Sequence, residues 1–484
     1  MSNNILLLLT LGIPLIGMIL ILLTRKYPNL RDLITIFTSS ILFVVNIFLA
    51  INTFYISKGT SFILFNFFPG GSIQLTPEPL GLIFGLIASG LWIVTSIYSI
   101  GYMRGKKEQN QTRFYSFFAL AIAATMGVAY AGNLITLFIF YEALSLSTYP
   151  LVTHHQTENA KKGGRTYLGV LLTTSIVFFL FGILWVWSIT GTTEFIPGGI
   201  LDGKISPFIT GLMLLLFIFG IGKAGVMPFH RWLPAAMVAP TPVSALLHAV
   251  AVVKAGVFSI LKVTVYTFGV DNLFSNGASQ FAMYLAAITI IVASIIALKQ
   301  DNIKRMLAYS TVSQLSYIVL AAMIANTTSI IGSTMHIASH AFGKITLFFC
   351  AGAIYVASGK TEISQIKGIG KVMPWTMAAF TIGSLSIIGL PPTGGFISKW
   401  YILLAAVQNE EFIVLLVLII STLLSAGYLL PVIYSAFFLT PDTKFENSEA
   451  PTAILIALGI SVSLTFLLFF YPDPIFHIAK LIGI

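Results

Sequence analysis

Residues 220–256 read GIGKAGVMPFHRWLPAAMVAPTPVSALLHAVAVVKAG, and the rest of the chain is read outward from them. The stretch is apolar enough for a membrane, yet it carries Lys223 and Lys254 among glycines and prolines. A charge at bilayer centre costs roughly 2.5–3.5 kcal/mol on insertion scales, so an intramembrane lysine points to function. Pro228 cannot donate to the carbonyl of Ala224, and Gly220, Gly222 and Gly225 loosen the same turns, so the helix is expected to break beside Lys223. Backbone groups freed at membrane depth are tolerated only where water or protein satisfies them. The expectation is a hydrated polar site on a discontinuous helix, a device of many ion transporters.

The composition agrees. The 484 residues are 57% hydrophobic and 9% charged, with mean hydropathy +0.94, far from the quarter or so of charged residues in soluble chains. The fold class expected is an all-α polytopic membrane protein. The net charge of +10 fits membrane-facing basic loops rather than nucleic acid, since no basic helix with interleaved aromatics is present. A single cysteine, Cys350, excludes an internal disulfide and a cysteine-held Fe–S cluster, and no cofactor or metal site is expected. Residues 5–23 lack a basic leader and a small-residue cleavage site, and Arg25 and Lys26 follow them, so they read as a first span.

At about 20 apolar residues per span, runs fall near 5–23, 34–56, 79–102, 114–131, 133–152, 166–190, 208–228, 241–266, 279–298, 303–325, 328–357, 374–407, 412–438 and 452–470. That gives 14 helices, with 13 left open because Ala131–Asn133 and Asn326–Thr328 are short separators. Basic residues set the orientation. Odd-numbered connections hold Arg25, Lys26, Arg31; Arg104, Lys106, Lys107, Arg113; Lys161, Lys162, Arg165; Arg231; Lys299, Lys304, Arg305; Lys360, Lys367, Lys371; and Lys444. Those are 18 of the 26 basic residues. Even connections hold Lys58, Lys204 and, at a helix end, Lys262. Odd loops are therefore expected inside and both termini on the non-cytoplasmic side of a cell inner (plasma) membrane. The organisation expected is one membrane domain over 1–484, with helices 1–3 in 1–113, one five-helix unit in 114–270, a second in 271–440, and the last helix in 441–484. The spacing Gly81/Gly85 marks close helix packing and nothing more.

Four lysines lie within spans: Lys223, Lys254, Lys344 and Lys399. Glu142, in FIFYEALSLSTYPLV, is the one carboxylate deep in a span, and Lys223 is its expected partner, since opposite charges favour each other's ionised form. A static structural pair is the bland alternative. On HIASHAFGKITLF, His336, His340 and Lys344 are spaced i, i+4, i+8 and share one helix face. With no carboxylate or cysteine nearby to complete a metal site, a protonatable relay is the better reading, set against histidines that merely cap backbone. His248 is six residues before Lys254, about 120° around the helix; it is no local pair but stays a relay candidate. In SIIGLPPTGGFISKWYI, Pro391 and Pro392 leave the carbonyls of Ile387 and Ile388 without helical donors, and Lys399 follows. A second broken helix thus carries a second lysine, and five spans per unit place the two units in opposite orientation.

Three motifs are discounted. Gly220-x-Gly222-x-x-Gly225 has no preceding strand or later acid for a dinucleotide, His154 and His155 read as solvated beside a charged loop, and Gly368–Lys371 is too short for a phosphate loop.

The segments FYEALSLSTYPLV, KAGVMPFHRWLPAAMVAPTPVSALLHAVAVVKAG, HIASHAFGKITLFFCAGA and GLPPTGGFISKW, in this order, resemble the antiporter-like membrane subunits of respiratory complex I, membrane-bound hydrogenases and Mrp-type Na⁺/H⁺ antiporters. The resemblance runs from about residue 75 to 440. It implies 14 helices in two inverted five-helix repeats with the seventh and twelfth broken. It also implies proton-translocating roles for Glu142, Lys223, Lys254, Lys344 and Lys399, the last as in D-type Mrp subunits and lysine-bearing complex I subunits. The function expected is the proton-translocating subunit of a multisubunit monovalent cation/proton antiporter, working with other membrane subunits, H⁺ and Na⁺ in the bilayer. The rival is a proton-pumping subunit of an NADH-quinone oxidoreductase or hydrogenase; a structural or receptor-like bundle ranks below both. No catalytic centre is expected within the chain.

Overall fold

The computed structural model describes residues 2–55, 61–68, 70–441 and 449–482. Lys58 and Lys444, counted above among the connections, lie outside them. The chain is an all-α polytopic membrane protein. Its long helices are α1 (Asn3–Leu23), α2 (Pro28–Tyr55), α3 (Pro79–Gly105), α4 (Gln111–Ala129), α5 (Leu134–Val152), α6 (Glu158–Thr190), α8 (Thr241–Phe268), α9 (Gln280–Leu298), α10 (Ile303–Ile324), α11 (Thr327–Ser358), α13 (Phe412–Phe438) and α14 (Thr452–Phe470). By length and apolarity these twelve can cross a membrane, and two shorter apolar helices join them, α7 (Pro207–Gly220) and the first half of α12 (Pro374–Ile388). Those two are the helices that break.

Uniformly apolar sequence says where a helix lies but not where it stops, so polar caps set the boundaries. Pro79 starts α3 behind Glu78, whose carboxylate accepts from the amides of Leu80 and Gly81. Asn133 caps α5 through the Thr136 amide at 2.7 Å, and Asn326 caps α11 in a reciprocal box with Ser329. Each satisfies donors that a helix start would leave unpaired. One unexpected element sits between α2 and α3: an antiparallel hairpin, β1 (Phe62–Phe68) with β2 (Gly71–Leu75). Its edge meets the α4–α5 turn through Leu75 and Ala131. On the face carrying the basic loops, Asp32 takes Arg31 and Arg104 together, tying α2 to α3. Both Arg31 and Asp32 are buried.

The seventh helix ends at Gly220. Lys223 follows in a 3-10 turn, Gly222–Ala224, and Gly225 closes it at φ +72°. The indole of Trp232 then reaches back, donating from Nε1 to the Gly222 carbonyl at 2.9 Å. The twelfth resumes at Gly394–Gln408 after a non-helical stretch containing both prolines. Helix α8 runs behind the first break and is buried throughout; two π-turns, Leu246–Val250 and Thr264–Phe268, interrupt it. It fits because position 256 has no side chain: a Cβ there would strike the backbone of Lys223 and Ala224.

Overpacking of this kind costs about 1–3 kcal/mol. Gly256→Ala is therefore expected to lower the thermal midpoint of the purified protein by several degrees, while Gly169→Ala, with no neighbour within 4 Å, leaves it unchanged or raised. Equal midpoints for the two variants would mean that the turn does not lean on α8.

Candidate functional site

All four lysines predicted within spans are buried, Lys223, Lys254 and Lys344 completely and Lys399 with 6% exposure. Their ammonium groups end on backbone carbonyls, hydroxyls and imidazole. Lys223 Nζ donates to the Tyr141 carbonyl at 2.8 Å and to Ser145 Oγ at 2.6 Å. It also lies over the Tyr141 ring, 3.1 Å from its centroid, while the Lys223 amide donates to Tyr141 Oη at 2.9 Å.

The Glu142 to Lys223 ion pair expected from the sequence is not formed. Glu142 is next to Tyr141 in the chain and stays within electrostatic range of Lys223, but no salt bridge joins the two among the described residues. Both carboxylate oxygens are buried without a hydrogen-bond partner. The lysine has turned instead to α5 positions one residue before and three after the glutamate, where a carbonyl and a hydroxyl replace the carboxylate.

The second cluster joins α8, α11 and α12. Lys254 Nζ and His340 Nδ1 are 2.6 Å apart. His340 and His336, one turn apart on α11, have ring centroids separated by 6.1 Å. His336 Nδ1 meets Ser398 Oγ at 2.9 Å, and Ser339 Oγ meets the same hydroxyl at 2.8 Å. The His336 ring also stacks on Tyr317 at 5.7 Å, and Lys399 lies over that tyrosine at 4.7 Å. Lys399 Nζ donates to the carbonyls of Ile387 and Ile388 at 2.8 and 3.0 Å, the two groups that Pro391 and Pro392 deprive of helical donors. Lys344 reaches across to α10, donating to the Leu307 carbonyl at 3.2 Å and to Ser310 Oγ at 2.7 Å. Ser310 in turn meets Tyr428 Oη at 2.8 Å.

His248 is brought into the interior but not into this network: its ring packs on Phe348 at 4.6 Å, and neither nitrogen has a partner. No direct hydrogen bond joins the Lys223 cluster to Lys254 among the described residues. Hydrogen bonding among the described residues thus leaves the contacts of Lys223, of Lys254 and of Lys344 separate from one another.

Sequence reasoning misses or misreads three residues. Gln314 is fully buried with both amide atoms unpartnered, and it stands one turn from Ser310 and one from Tyr317 on α10. A search confined to ionisable side chains passes it over, although an amide inside an apolar span is itself a signal. Lys262 is not a connection residue; it lies fully buried in α8, 3.0 Å from Glu78 Oε1, and donates to the Ala131 carbonyl at 2.6 Å. Tyr266 Oη donates to the other Glu78 oxygen at 2.8 Å. His154 is not solvated: 4% exposed, it has an Nε2 contact to the Gln109 carbonyl at 3.0 Å. Burial first, then Arg113, pushes it down to about 4, so it is neutral near pH 7. His155 is the solvent-facing member, 3.6 Å from Glu108.

A family model described as "NADH:quinone oxidoreductase/Mrp antiporter, TM" matches residues 131–425, which contain every one of these lysines. The chain is 33% identical over 405 residues to the N subunit of the NADH-quinone oxidoreductase of Desulforudis audaxviator, covering 82% of this chain and 79% of that protein. It is 28% identical over 483 residues to the D subunit of the Na(+)/H(+) antiporter of Alkalihalophilus pseudofirmus, covering 98% and 95%. Among solved structures, it matches a chain of a membrane-bound sulfane sulfur reductase, an archaeal respiratory membrane complex, with TM-score 0.87 at 23% identity over 100% of this chain and 97% of that one. A chain of the Mrp complex from a Dietzia species matches with TM-score 0.81 at 23% identity, covering 100% and 52%. The chain belongs to the NADH:quinone oxidoreductase/Mrp antiporter family of membrane subunits.

Removing one partner of a buried ion pair leaves an uncompensated charge and costs about 3–5 kcal/mol. Glu78→Gln and Lys262→Met are each expected to lower thermal stability clearly, and the double variant to lose less than the sum of the two. A double-mutant cycle on thermal midpoints reads this coupling directly; strict additivity would show the pair to be idle.

Proposed function

We propose that this member of the family is the proton-translocating subunit of a multisubunit monovalent cation/proton antiporter, set in the plasma membrane beside other membrane subunits. The observation that carries the reading is the row of buried lysines: four unneutralised ammonium positions linked to hydroxyls and histidines cost too much to be kept as packing. Protons would pass among Glu142, Lys223, Lys254, His336, His340, Lys344 and Lys399, with Gln314 and bound water spanning the gaps and His248 in reserve. The two broken helices would divide the work between units 114–270 and 271–440, one lysine at each break.

A partner-driven redox complex is the second reading. The higher identity to a quinone oxidoreductase subunit, 33%, favours it, whereas the nearly complete coverage of the antiporter protein, 98% and 95%, favours the first. In either assembly this chain would do the same job and a partner would supply the drive. The orientation goes with the basic bias: loops near 106 and 161 inside, both termini outside.

The open Glu142–Lys223 contact would be one state of a gate. With the carboxylate swung towards the ammonium the proton is held; with the carboxylate away it is free to leave. Lys223→Ala is expected to abolish cation-driven proton flux in assembled complexes. Glu142→Gln should lose nearly as much as Glu142→Ala, while Glu142→Asp keeps a measurable part. Flux in vesicles across a pH series tests this, and Gln matching Glu at every pH would reduce Glu142 to a helix contact.

For orientation, cysteines placed near residues 106 and 161 should react with impermeant reagents only from the cytoplasmic side. Labelling from outside would invert the arrangement.

A further inference from the structure

On the face that carries the basic loops, a cavity of about 720 Å³ opens where the chain leaves the first break, between the 227–238 segment, α9 and α10. Its polar wall holds Arg231, Arg305 and His230. Neither guanidinium has an ion pair or a side-chain hydrogen bond among the described residues, unlike Arg31, Arg104 and Arg113, which are all engaged. His230 turns its ring to Tyr309 at 6.2 Å and leaves a buried Nδ1 without a partner.

Two carboxylates beside the Asn302 end of the cavity are already engaged. Asp301 takes the amide and hydroxyl of Ser364, and Glu362 takes the Asn302 amide at 3.0 Å. No carboxylate lines the cavity. The lining also has an apolar part, Met227, Val292 and Ile296, with Val292 exposed on α9.

We propose that this cavity binds the phosphodiester headgroup of an anionic phospholipid, with its acyl chains lying along α9. Guanidinium groups bind phosphate through paired, charge-assisted donors, and two exposed ones lining a single cavity whose lining holds no carboxylate are suited to one phosphate. Basic pockets between membrane helices hold anionic headgroups in this way. The apolar wall decides between sources, because a soluble anion needs only the cations, whereas a lipid needs cations and an adjoining hydrocarbon surface. The site also touches the machinery: Arg231 precedes Trp232, whose indole holds the Gly222 carbonyl beside Lys223. A bound headgroup would steady that turn from outside the proton path. The inference does not require the transport reading, since occupancy is measured on its own.

The test uses the full chain in its native membrane assembly, reconstituted with photoactivatable phosphatidylglycerol or, separately, photoactivatable phosphatidylcholine, followed by peptide mapping. Labelling of the α9 segment around Val292 and Ile296 is expected to be at least several-fold higher with phosphatidylglycerol. The double variant R231Q/R305Q should fall to the phosphatidylcholine level, while R231K/R305K keeps a large part; if the double variant does not assemble, R305Q alone gives the same comparison. Equal labelling by the two lipids, or labelling untouched by the substitutions, overturns the site. Loss of labelling on adding inorganic phosphate alone would mark a soluble-anion cleft and overturn the lipid assignment.

Discussion

A proline in a membrane helix releases a carbonyl, and in a medium without water that carbonyl must find a donor from the protein. In this chain a lysine side chain supplies one at the second break. Lys399 closes on the carbonyls of Ile387 and Ile388, whereas at the first break the Gly222 carbonyl keeps a turn hydrogen bond from the Gly225 amide and adds one from Trp232. A buried carbonyl left unmatched costs about 1–3 kcal/mol, so break and donor stabilise each other. At the second break Pro391 and Pro392 create acceptors that make the buried Lys399 ammonium tolerable, and the ammonium makes the break tolerable. At the first break Lys223 reaches instead the Tyr141 carbonyl and the Ser145 hydroxyl of α5, so there the acceptors come from a neighbouring helix.

The same constraint accounts for the company these lysines keep. A carboxylate beside each would hold its charge in place, and among the buried lysines of the described residues only Lys262 is built that way, with Glu78 clamping α8 to the start of α3. Hydroxyl and carbonyl partners stabilise an ammonium less firmly. Lys223 and Lys344 each sit on one carbonyl and one serine of the neighbouring helix, positions where a small change of charge nearby alters the balance. The carboxylate-paired lysine and the hydroxyl- and carbonyl-bound ones are thus distinguished by their partners rather than by their depth.

Much of this was legible in the sequence because membrane physics writes large signals. Spans follow from apolar length, breaks from prolines, and the site from charges that hydrocarbon excludes. Even the Ile387 and Ile388 acceptors follow from where Pro391 and Pro392 stand. What escaped depends on distance. Lys262 reads as a helix-end residue because its partner, Glu78, is 184 positions earlier. Glu142 and Lys223 read as a pair because charge alone cannot say that Tyr141 and Ser145 lie closer. His154 reads as solvated because the Gln109 carbonyl that covers it belongs to another connection. The β1–β2 hairpin was missed because its residues fall between spans, where apolar periodicity carries no weight.

The hydrogen-bond arithmetic separates Lys254 from the others. An ammonium has three donors and a neutral amine still has two. Lys223, Lys344 and Lys399 each make two such bonds to oxygen, so each can give up a proton and keep its scaffold contacts. Lys254 instead meets a single nitrogen, His340 Nδ1, at 2.6 Å. That contact needs one donor and one acceptor, so one proton is held between the two groups, and its transfer needs only a small displacement. Nε2 of His340 is buried and unpartnered, as is Nε2 of His336, so a proton received on Nδ1 would stay on the ring until an acceptor reached Nε2. The three carbonyl-bound lysines therefore keep both bonds in either protonation state, whereas the lysine–histidine contact rests on a single one.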